Sequence, residues 1–300
     1  MVDEGEDFEE KSRKVMRDSN RKPSATPSGS RDPFEGEDVE LVEQLTRDRV
    51  GIETMERYCG SSAQDFQPYV LLTNFKAYID LFVKICGVPL HQGSVMRAAH
   101  DPIRRISMID YSVGSPMAAL VVELLSFLEP KAVLMLGMCG GLREEYRVGD
   151  FFNPIAAIRE EGTSNAYMPP QCPALSSFVI QRRVVQEYEQ RKISYHNGVI
   201  HTTNVRFWEF NDDFKATLRK ERVQAIDMEC ATLFTVGFAR RVPIGALMLI
   251  SDLPLAHGGI KTAARAHRIF QEYSVLHVEM GMNVFRNMQP DEAAGFGYQF

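Results

Sequence analysis

The chain has 300 residues, and its 44% of hydrophobic and 25% of charged residues exclude a wholly disordered or collagen-like protein. Its 34 Lys and Arg against 40 Asp and Glu give a net charge of −6, which provides no general attraction to nucleic acid or to an anionic membrane. No apolar run approaches the ~20 residues that span a bilayer, and the acidic N-terminus is unlike a signal peptide, so we expect a soluble, cytoplasmic protein.

The two ends of the chain have the composition of tails. Residues 1–38 carry eleven acidic and seven basic residues but only seven apolar ones. So little apolar surface cannot offset an ordering entropy of roughly 1 to 2 kcal/mol per residue. We predict a disordered charged tail over residues 1–38, a folded domain over 39–289 and a second tail over 290–300.

Helical and extended patterns alternate within the folded domain. A helix is predicted over 39–57 from apolar residues at helical spacing. Short apolar runs predict strands over 69–73, 103–110, 132–137, 151–158, 194–202, 225–228 and 244–251. Further helices are predicted over 77–86, 117–127, 178–191, 212–222, 229–240 and 263–286. This alternation predicts an α/β fold with a central, largely parallel sheet flanked by helices, and a ligand site at the carboxyl ends of the strands.

The cysteines and histidines provide no metal-binding pattern. The five cysteines are odd in number, widely spaced and never in a C-x-x-C pair, and the seven histidines form no H-E-x-x-H motif. We predict reduced thiols in or near the core, and neither a disulfide framework nor a metal site.

One predicted helix has an N-terminus that is suited to an anion. Ser115 is a good N-cap and Pro116 a good first helical residue, so the amides after Gly114 are expected to point out of the helix. Such an end attracts anions, although the same pattern also describes an ordinary capped helix.

A glycine-rich segment follows the strand predicted over 132–137. Gly140 and its neighbours would let the backbone approach a ligand closely, but the segment matches neither a dinucleotide fingerprint nor a P-loop. Its G-x-C-x-G pattern is also compatible with a nucleophile elbow, in which Cys139 attacks, Asp252 orients and His267 is the base. Against this alternative, the next predicted strand follows within nine residues of Leu142, where an elbow would continue into a long helix.

Two predicted strands end in acidic residues. Glu229 follows one strand and Asp252 ends another, which are the places where α/β proteins build ligand sites. Each also has an ordinary structural explanation: Glu229 as a carboxylate facing a helix dipole, and Asp252 as a turn residue.

The order of these motifs resembles the nucleoside phosphorylase and nucleosidase family. The shared motifs are Gly114-Ser115, G-x-C-G-G-L at 137–142, V-G-D at 148–150, E-G-T-S at 161–164, D-M-E-x-A-T at 227–232 and Ser251-Asp252. Within the family, the segments 71–80, 158–170 and 202–209 resemble the AMP nucleosidase branch specifically. The resemblance covers about residues 56–288 and implies a single nucleosidase catalytic domain with a central twisted mixed sheet.

The resemblance implies hydrolysis of the N-glycosidic bond of AMP to adenine and ribose 5-phosphate. Asp252, held by Ser251 and with a pKa raised by burial, is expected to protonate the base. The resemblance also implies that Glu229 binds the ribose hydroxyls, that Met228 packs against the sugar, and that Phe207 or Trp208 lies against the adenine.

Phosphate binding is expected at two places. Gly114 and Ser115 correspond to part of the family's inorganic phosphate site, with Arg159 and Thr163 as further donors. Candidates for the 5′-phosphate of AMP are Lys261 and Arg268. No cofactor is implied, and the family forms homo-oligomers, either dimers or hexamers, in which neighbouring subunits complete many sites.

Several alternatives remain open from the sequence. The family's methylthioadenosine nucleosidases activate water with a glutamate in the first loop, where this chain reads TNFKAY, which leaves Glu161 as a candidate. A phosphorylase of the same family, the cysteine hydrolase described above and a non-catalytic AMP-binding module are the other functions considered.

Overall fold

The computed structural model describes residues 34–256, 259, 263–286 and 288. By internal contacts the chain divides into two units, residues 1–53 and 54–300. Helix α1 spans Phe34–Cys59 and therefore begins five residues before the predicted start at Val39. In the first unit, an i,i+4 hydrogen bond of 2.8 Å joins Gln44 Nε2 to Asp48 Oδ1, which is typical of an exposed helical face.

The second unit contains an α/β fold. The strands of its described part are β1 Tyr69–Thr73, β2 His91–Gln92, β3 Arg97–Asp101, β4 Ile106–Asp110, β5 Ala132–Gly141, β6 Phe151–Arg159, β7 Ala174–Leu175, β8 Tyr195–Thr202, β9 Ala225–Asp227 and β10 Ile244–Asp252. The helices that follow α1 are α2 Lys76–Cys86, α3 Ser115–Ser126, α4 Phe178–Arg191, α5 Asp212–Glu221, α6 Cys230–Ala239 and α7 Ala263–Arg286. The predicted α/β class, with a central sheet flanked by helices, is confirmed.

The sheet is mixed, with the strand order β10-β6-β8-β9-β5-β1-β4-β3-β2. Strand β5 pairs in parallel with β1 and β10 and antiparallel with β9. Because β10 pairs with both β5 and β6, the five strands β5, β10, β6, β8 and β9 close into a ring. This ring brings the ends of β9 and β10 to opposite sides of β5.

Apolar side chains fill both faces of the sheet. One large cluster joins the inner residues of the strands to α3 and α6, and includes Val133, Val122 and Phe234. A second cluster on the other face joins the sheet to α2, α4 and α7, and includes Phe82 and Val278. The strands are therefore buried on both sides, as expected for a sheet covered by helices. No helix in the described part of the chain is long and apolar enough to cross a membrane.

Two local predictions from the sequence need correction. Strand β5 continues through Cys139 to Gly141, so Cys139 does not lie on a strand-to-helix elbow. The N-cap of α3 is Gly114, and Ser115 is instead the first helical residue. Gly114 has φ of +98°, which a residue with a side chain rarely adopts. Of the predicted N-terminal tail, residues 1–38, only residues 34–38 are described, and they form the start of α1. The predicted C-terminal tail, residues 290–300, lies outside the described residues.

Candidate active site

A cavity of about 180 Å³ opens at the ends of several strands. Its walls come from segments that follow β1, β4, β8, β9 and β10, together with the end of β5. The lining residues are Asn74, Phe75, Val113, Met138, Cys139, Gly140, Thr203, Val205, Arg206, Trp208, Glu209, Ile226, Asp227, Met228, Glu229, Ser251, Asp252 and Pro254. The predicted position of the ligand site, at the ends of the strands, thus coincides with a cavity lined by several polar groups.

Glu229 is held in place by donors from distant parts of the chain. It is the N-cap of α6, and only 3% of its surface is exposed. Its Oε1 accepts hydrogen bonds from the backbone amide of Gly114 at 2.8 Å and from Asn74 Nδ2 at 3.3 Å. The positive φ of Gly114 turns this amide toward the carboxylate, so the loop before α3 and the end of β1 fix one glutamate together.

Burial and a like charge make Glu229 hard to ionise. Burial and the neighbouring charge of Asp227 raise the pKa of Glu229 from 4.5 to about 7, although the hydrogen bonds from Gly114 and Asn74 favour the carboxylate. Burial also raises the pKa of Asp227, whose carboxylate accepts a hydrogen bond from Thr202 Oγ1 at 2.6 Å and from the amide of Cys230 at 2.7 Å. Asp227 thus ties β8 to the start of α6.

Ser115 has a different role from the predicted helix cap. Its hydroxyl is fully buried and donates to the carbonyl oxygen of Met228 at 2.7 Å. This contact fixes the backbone between Asp227 and Glu229, and it leaves the Ser115 hydroxyl proton occupied by a protein acceptor. Met228 lines the cavity, as expected for a residue that packs against a ligand.

Asp252 stands at the opposite wall, at the end of β10. Ser251 Oγ donates to Asp252 Oδ1 at 2.6 Å and lies 3.3 Å from the carbonyl oxygen of Cys139. Asp252 is half-buried, in contrast to the fully enclosed Glu229. Gly140 pairs with Asp252 on one side and with Ile226 on the other. A Cβ atom at Gly140 would lie 3.0 Å from Pro254 and 3.1 Å from Ile226, so any side chain there would crowd the cavity floor.

Two aromatic residues, Phe75 and Trp208, line the cavity, and Trp208 is the one that the sequence singled out. Its side chain is 5% exposed and packs in a small cluster with Ile226, Leu142 and the partly buried Leu255. Phe207 is instead 73% exposed and does not line the cavity. Between the two residues that the sequence left open, the geometry of the single chain therefore favours Trp208 as the residue that contacts a ligand.

The loop of Trp208 also contributes an ion pair. Arg206 Nη1 lies 3.0 Å from Glu209 Oε1, and both residues line the cavity. The Arg206 side chain is 51% exposed, whereas that of Glu209 is 4% exposed. The buried carboxylate of Glu209 is thus paired with the partly exposed guanidinium of Arg206 through one of its two oxygens.

Several residues expected near the site from the sequence do not line this cavity, among them Gly114, Ser115 and three residues at and after the end of β6. The guanidinium of Arg159 donates to five acceptors between Ser164 and Cys172, so it organises the loop after β6. Thr163 lies in that same loop, in a short 3-10 helix. Burial would raise the pKa of Glu161, but hydrogen bonds from Ser164 and Thr232 outweigh it and lower the pKa below its ordinary value.

Arg268 lines a second cavity, of about 380 Å³, that shares Ser251 and Asp252 with the first. Arg265 also lines it, so two arginines of α7 share this second cavity with the Asp252 segment. Arg268 also lies 3.9 Å from Glu272 on the exposed face of the helix. Lys261, the other predicted phosphate ligand, lies outside the described residues.

The proposed cysteine triad is not assembled in this cavity. Cys139 and Asp252 both line it, but His267 is exposed on α7 and does not. None of the lining residues described above is a histidine. Among the described residues, no group of three or more histidine, cysteine, aspartate or glutamate side chains is arranged to hold a metal ion.

Sequence reasoning gave no site role to several residues that line the cavity, among them Asn74, Asp227, Arg206 and Glu209. Asn74 directly follows β1, and a polar residue at the end of a strand is a signal that could have identified it. Asp227 ends β9 and carries the same signal. Arg206 and Glu209 lie in an irregular loop after β8, and no periodicity marks them.

Comparison with known proteins places this geometry in a broader group. The sequence profile described as the phosphorylase superfamily matches residues 71–276. The AMP nucleosidase of Escherichia coli K12 is 29% identical over 273 residues, which cover 76% of this chain and 56% of that protein. The chain therefore spans little more than half the length of that relative.

Solved structures agree with the fold. The crystal structure of AMP nucleosidase from Bacteroides thetaiotaomicron is 37% identical, has a TM-score of 0.70, and is matched over 79% of this chain and 95% of its own. Uridine phosphorylase from Vibrio fischeri is 20% identical with a TM-score of 0.67, over 75% of this chain and 93% of its own, which supports the fold alone. With the matched profile covering most of the folded unit, the chain belongs to the phosphorylase superfamily.

Proposed function

We propose that this protein is an enzyme that hydrolyses the N-glycosidic bond of AMP and releases adenine and ribose 5-phosphate. The observation that carries this proposal is the pair of carboxyl groups facing one cavity: buried Glu229 on one wall and Ser251-bound Asp252 on the other. Two AMP nucleosidases are among the relatives, at 29% and 37% identity, and we infer AMP as the substrate from them.

Asp252 is the general acid in this mechanism. Cleavage of the bond leaves the base as a poor anionic leaving group, and a proton delivered to N7 of the adenine removes that charge. Because Ser251 donates to Oδ1 of Asp252 at 2.6 Å, the carboxyl is oriented and its other oxygen carries the proton.

Glu229 binds the ribose. Its carboxylate accepts hydrogen bonds from the 2′ and 3′ hydroxyls, and its negative charge stabilises the oxocarbenium-like sugar that forms as the bond breaks. The amide of Gly114 and the side chain of Asn74 already hold this carboxylate. The group is therefore oriented before the substrate enters, which lowers the reorganisation that the transition state requires.

Water is the nucleophile in this proposal, and the contacts around Gly114 support it. Three of the four donors expected for inorganic phosphate already have protein acceptors: the Gly114 amide donates to Glu229, Ser115 Oγ to Met228, and Arg159 to its own loop. Asn74 Oδ1 is buried in the cavity wall and has no hydrogen-bond partner among the described residues. It is an acceptor that can orient the attacking water or a sugar hydroxyl.

The proposal also names residues that bind the 5′-phosphate of AMP, and it includes assembly into an oligomer. Arg268 and Lys261 bind the 5′-phosphate, so AMP is cleaved far better than adenosine, because one charge-assisted contact is worth roughly 1.5 to 3 kcal/mol. The protein forms a homo-oligomer, whose neighbouring subunit contributes to the site. Lys261→Ala narrows the preference for AMP over adenosine, mostly by weakening AMP.

Product analysis tests the reaction. The protein is incubated with AMP, with and without inorganic phosphate, and the sugar product is identified by mass spectrometry. Hydrolysis gives ribose 5-phosphate at a rate that added phosphate does not increase. Turnover that depends on phosphate and gives ribose 1,5-bisphosphate would instead establish a phosphorylase, and binding of AMP without any product would establish a non-catalytic module.

A further inference from the structure

Glu209 has a buried carboxylate oxygen that no donor in the described part of the chain satisfies. The residue lies in a short 3-10 helix, Trp208–Phe210, and is 7% exposed. Its Oε1 accepts the hydrogen bond from Arg206, whereas its Oε2 is buried without a hydrogen-bond partner among the described residues. Leaving a charged oxygen buried and unpaired costs more than a typical hydrogen bond contributes, so a donor is expected from elsewhere.

The position of Glu209 indicates where this donor comes from. Glu209 lines the cavity, and its neighbour Trp208 packs with Ile226 and Leu255. Leu255 belongs to the turn after Asp252, and Ile226 is paired with Gly140, which also pairs with Asp252. The loop of Glu209 therefore meets the Asp252 side of the cavity, the side that protonates the base in the proposed reaction.

We propose that Glu209 selects the base by accepting a hydrogen bond from its exocyclic amino group. This inference rests on the proposed function, because it assumes that the base lies against Trp208 and Asp252. A carboxylate paired with Arg206 can only accept hydrogen bonds, and the 6-amino group of adenine offers N–H donors. A purine with an oxygen at position 6 presents an acceptor instead, so two acceptors would face each other inside the protein.

This arrangement provides discrimination of a kind that shape alone cannot. Adenine and hypoxanthine have nearly the same size, so an apolar pocket separates them weakly. A buried group that must be paired rejects the analogue that lacks the donor. Arg206 is a positioning residue in this account, since it orients the carboxylate without contacting the base.

The test measures binding of free bases, so it does not depend on turnover. Affinities for adenine and hypoxanthine are measured by calorimetry for the wild type, Glu209→Gln and the matched control Glu144→Gln, whose exposed side chain lies outside the cavity lining. Glutamine keeps the shape and can donate to an oxo group. Glu209→Gln is expected to narrow the preference for adenine roughly 10- to 100-fold, the effect of one hydrogen bond to a charged group, whereas Glu144→Gln leaves it unchanged.

The ratio of kcat/KM for AMP to that for IMP is measured in parallel, and Glu209→Ala serves as a second variant if Glu209→Gln folds poorly. An unchanged preference in folded variants of Glu209, with both bases weakened equally, would overturn the inference and leave only an ion pair with Arg206. Selective binding of adenine that depends on Glu209, in a protein that does not cleave AMP, would support the inference while the proposed reaction fails. Cleavage of AMP by a protein whose preference for adenine does not depend on Glu209 would support the proposed reaction and overturn the inference.

Discussion

The two acidic residues that face the cavity are supported in different ways. Glu229 is enclosed and is held by an amide from the loop before α3 and a side chain from the end of β1. Asp252 is half-buried, and its Oδ1 accepts a hydrogen bond from the adjacent Ser251. The Glu229 carboxyl is therefore held from two distant segments of the fold, whereas the Asp252 carboxyl is contacted by its neighbour in sequence, beside a turn.

This difference matches what each group does in the proposed reaction. A group that binds hydroxyls and stabilises positive charge works best when it is oriented in advance. A group that transfers a proton needs access to the base and a pKa near the working pH. We therefore expect the Glu229 wall to hold the ligand in a fixed orientation and the Asp252 wall to transfer the proton.

The largest expected effect is at Asp252. Asp252→Asn removes the transferable proton and is expected to lower kcat for AMP by ~100-fold or more, with little change in AMP binding. Steady-state kinetics and a binding titration separate the two. Ser251→Ala is the matched comparison and should lose less, because it only orients the carboxyl. A rate near that of the wild type in Asp252→Asn would remove Asp252 from the role of acid.

The next largest effect is expected at Glu229, where comparing two substrates distinguishes sugar binding from a structural role. Glu229→Gln is expected to lower kcat/KM for AMP roughly 10- to 100-fold, the range for one charge-assisted hydrogen bond. The loss should be smaller for 2′-deoxy-AMP, because that substrate already lacks one partner hydroxyl. Equal relative losses on both substrates would mean that Glu229 only supports the N-terminus of α6.

The raised pKa of Glu229 also predicts a pH dependence of stability. Between its ordinary value of 4.5 and about 7, Glu229 holds a proton in the folded protein that it has lost in the unfolded chain. The free energy of unfolding therefore falls as the pH rises through this range and levels off above it. Glu229→Gln removes this contribution, worth about 3 kcal/mol at most.

Thermal melts from pH 5 to 8 check this dependence. The melting temperature of the variant should gain on that of the wild type as the pH rises toward 7. Parallel curves for the two proteins would show that Glu229 ionises in the folded state as easily as in water.

The smallest effect is expected at Cys139. Cys139→Ser should retain substantial turnover of AMP, because the thiol lies in strand β5 and no histidine lines the described cavity. Activity is measured before and after treatment with a thiol-alkylating reagent. Complete loss of turnover in a folded Cys139→Ser protein would restore the cysteine hydrolase mechanism.

The fold was more predictable than the site. Apolar periodicity identified most strands and helices, and the prediction for α7 over 263–286 matches its observed bounds. Short polar strands such as β3, Arg97–Asp101, carry little apolar signal and were missed. Strand ends placed Glu229 and Asp252 at the cavity because the topology of an α/β sheet brings such ends together.

Side-chain partners were not predictable in the same way. Gly114 and Glu229 are 115 residues apart, and nothing in the local sequence of either indicates their hydrogen bond. Arg159 was expected to add a donor to the phosphate site that the family resemblance implies, but its own loop supplies enough carbonyl groups to satisfy it. The partner of a charged residue depends on tertiary packing, which a periodic pattern does not encode.

The closed ring of strands β5, β10, β6, β8 and β9 fixes the distance between the two walls of the cavity. Strands β9 and β10 flank Gly140 of β5 as neighbours on its two sides, so their paired residues Ile226 and Asp252 are separated by two interstrand spacings, about 10 Å in total. That separation is set by backbone hydrogen bonds and does not depend on the side chains that line the cavity. Substitutions at the cavity wall can therefore change which chemical groups of a ligand are preferred, while the span between the contacts at the two walls stays constant.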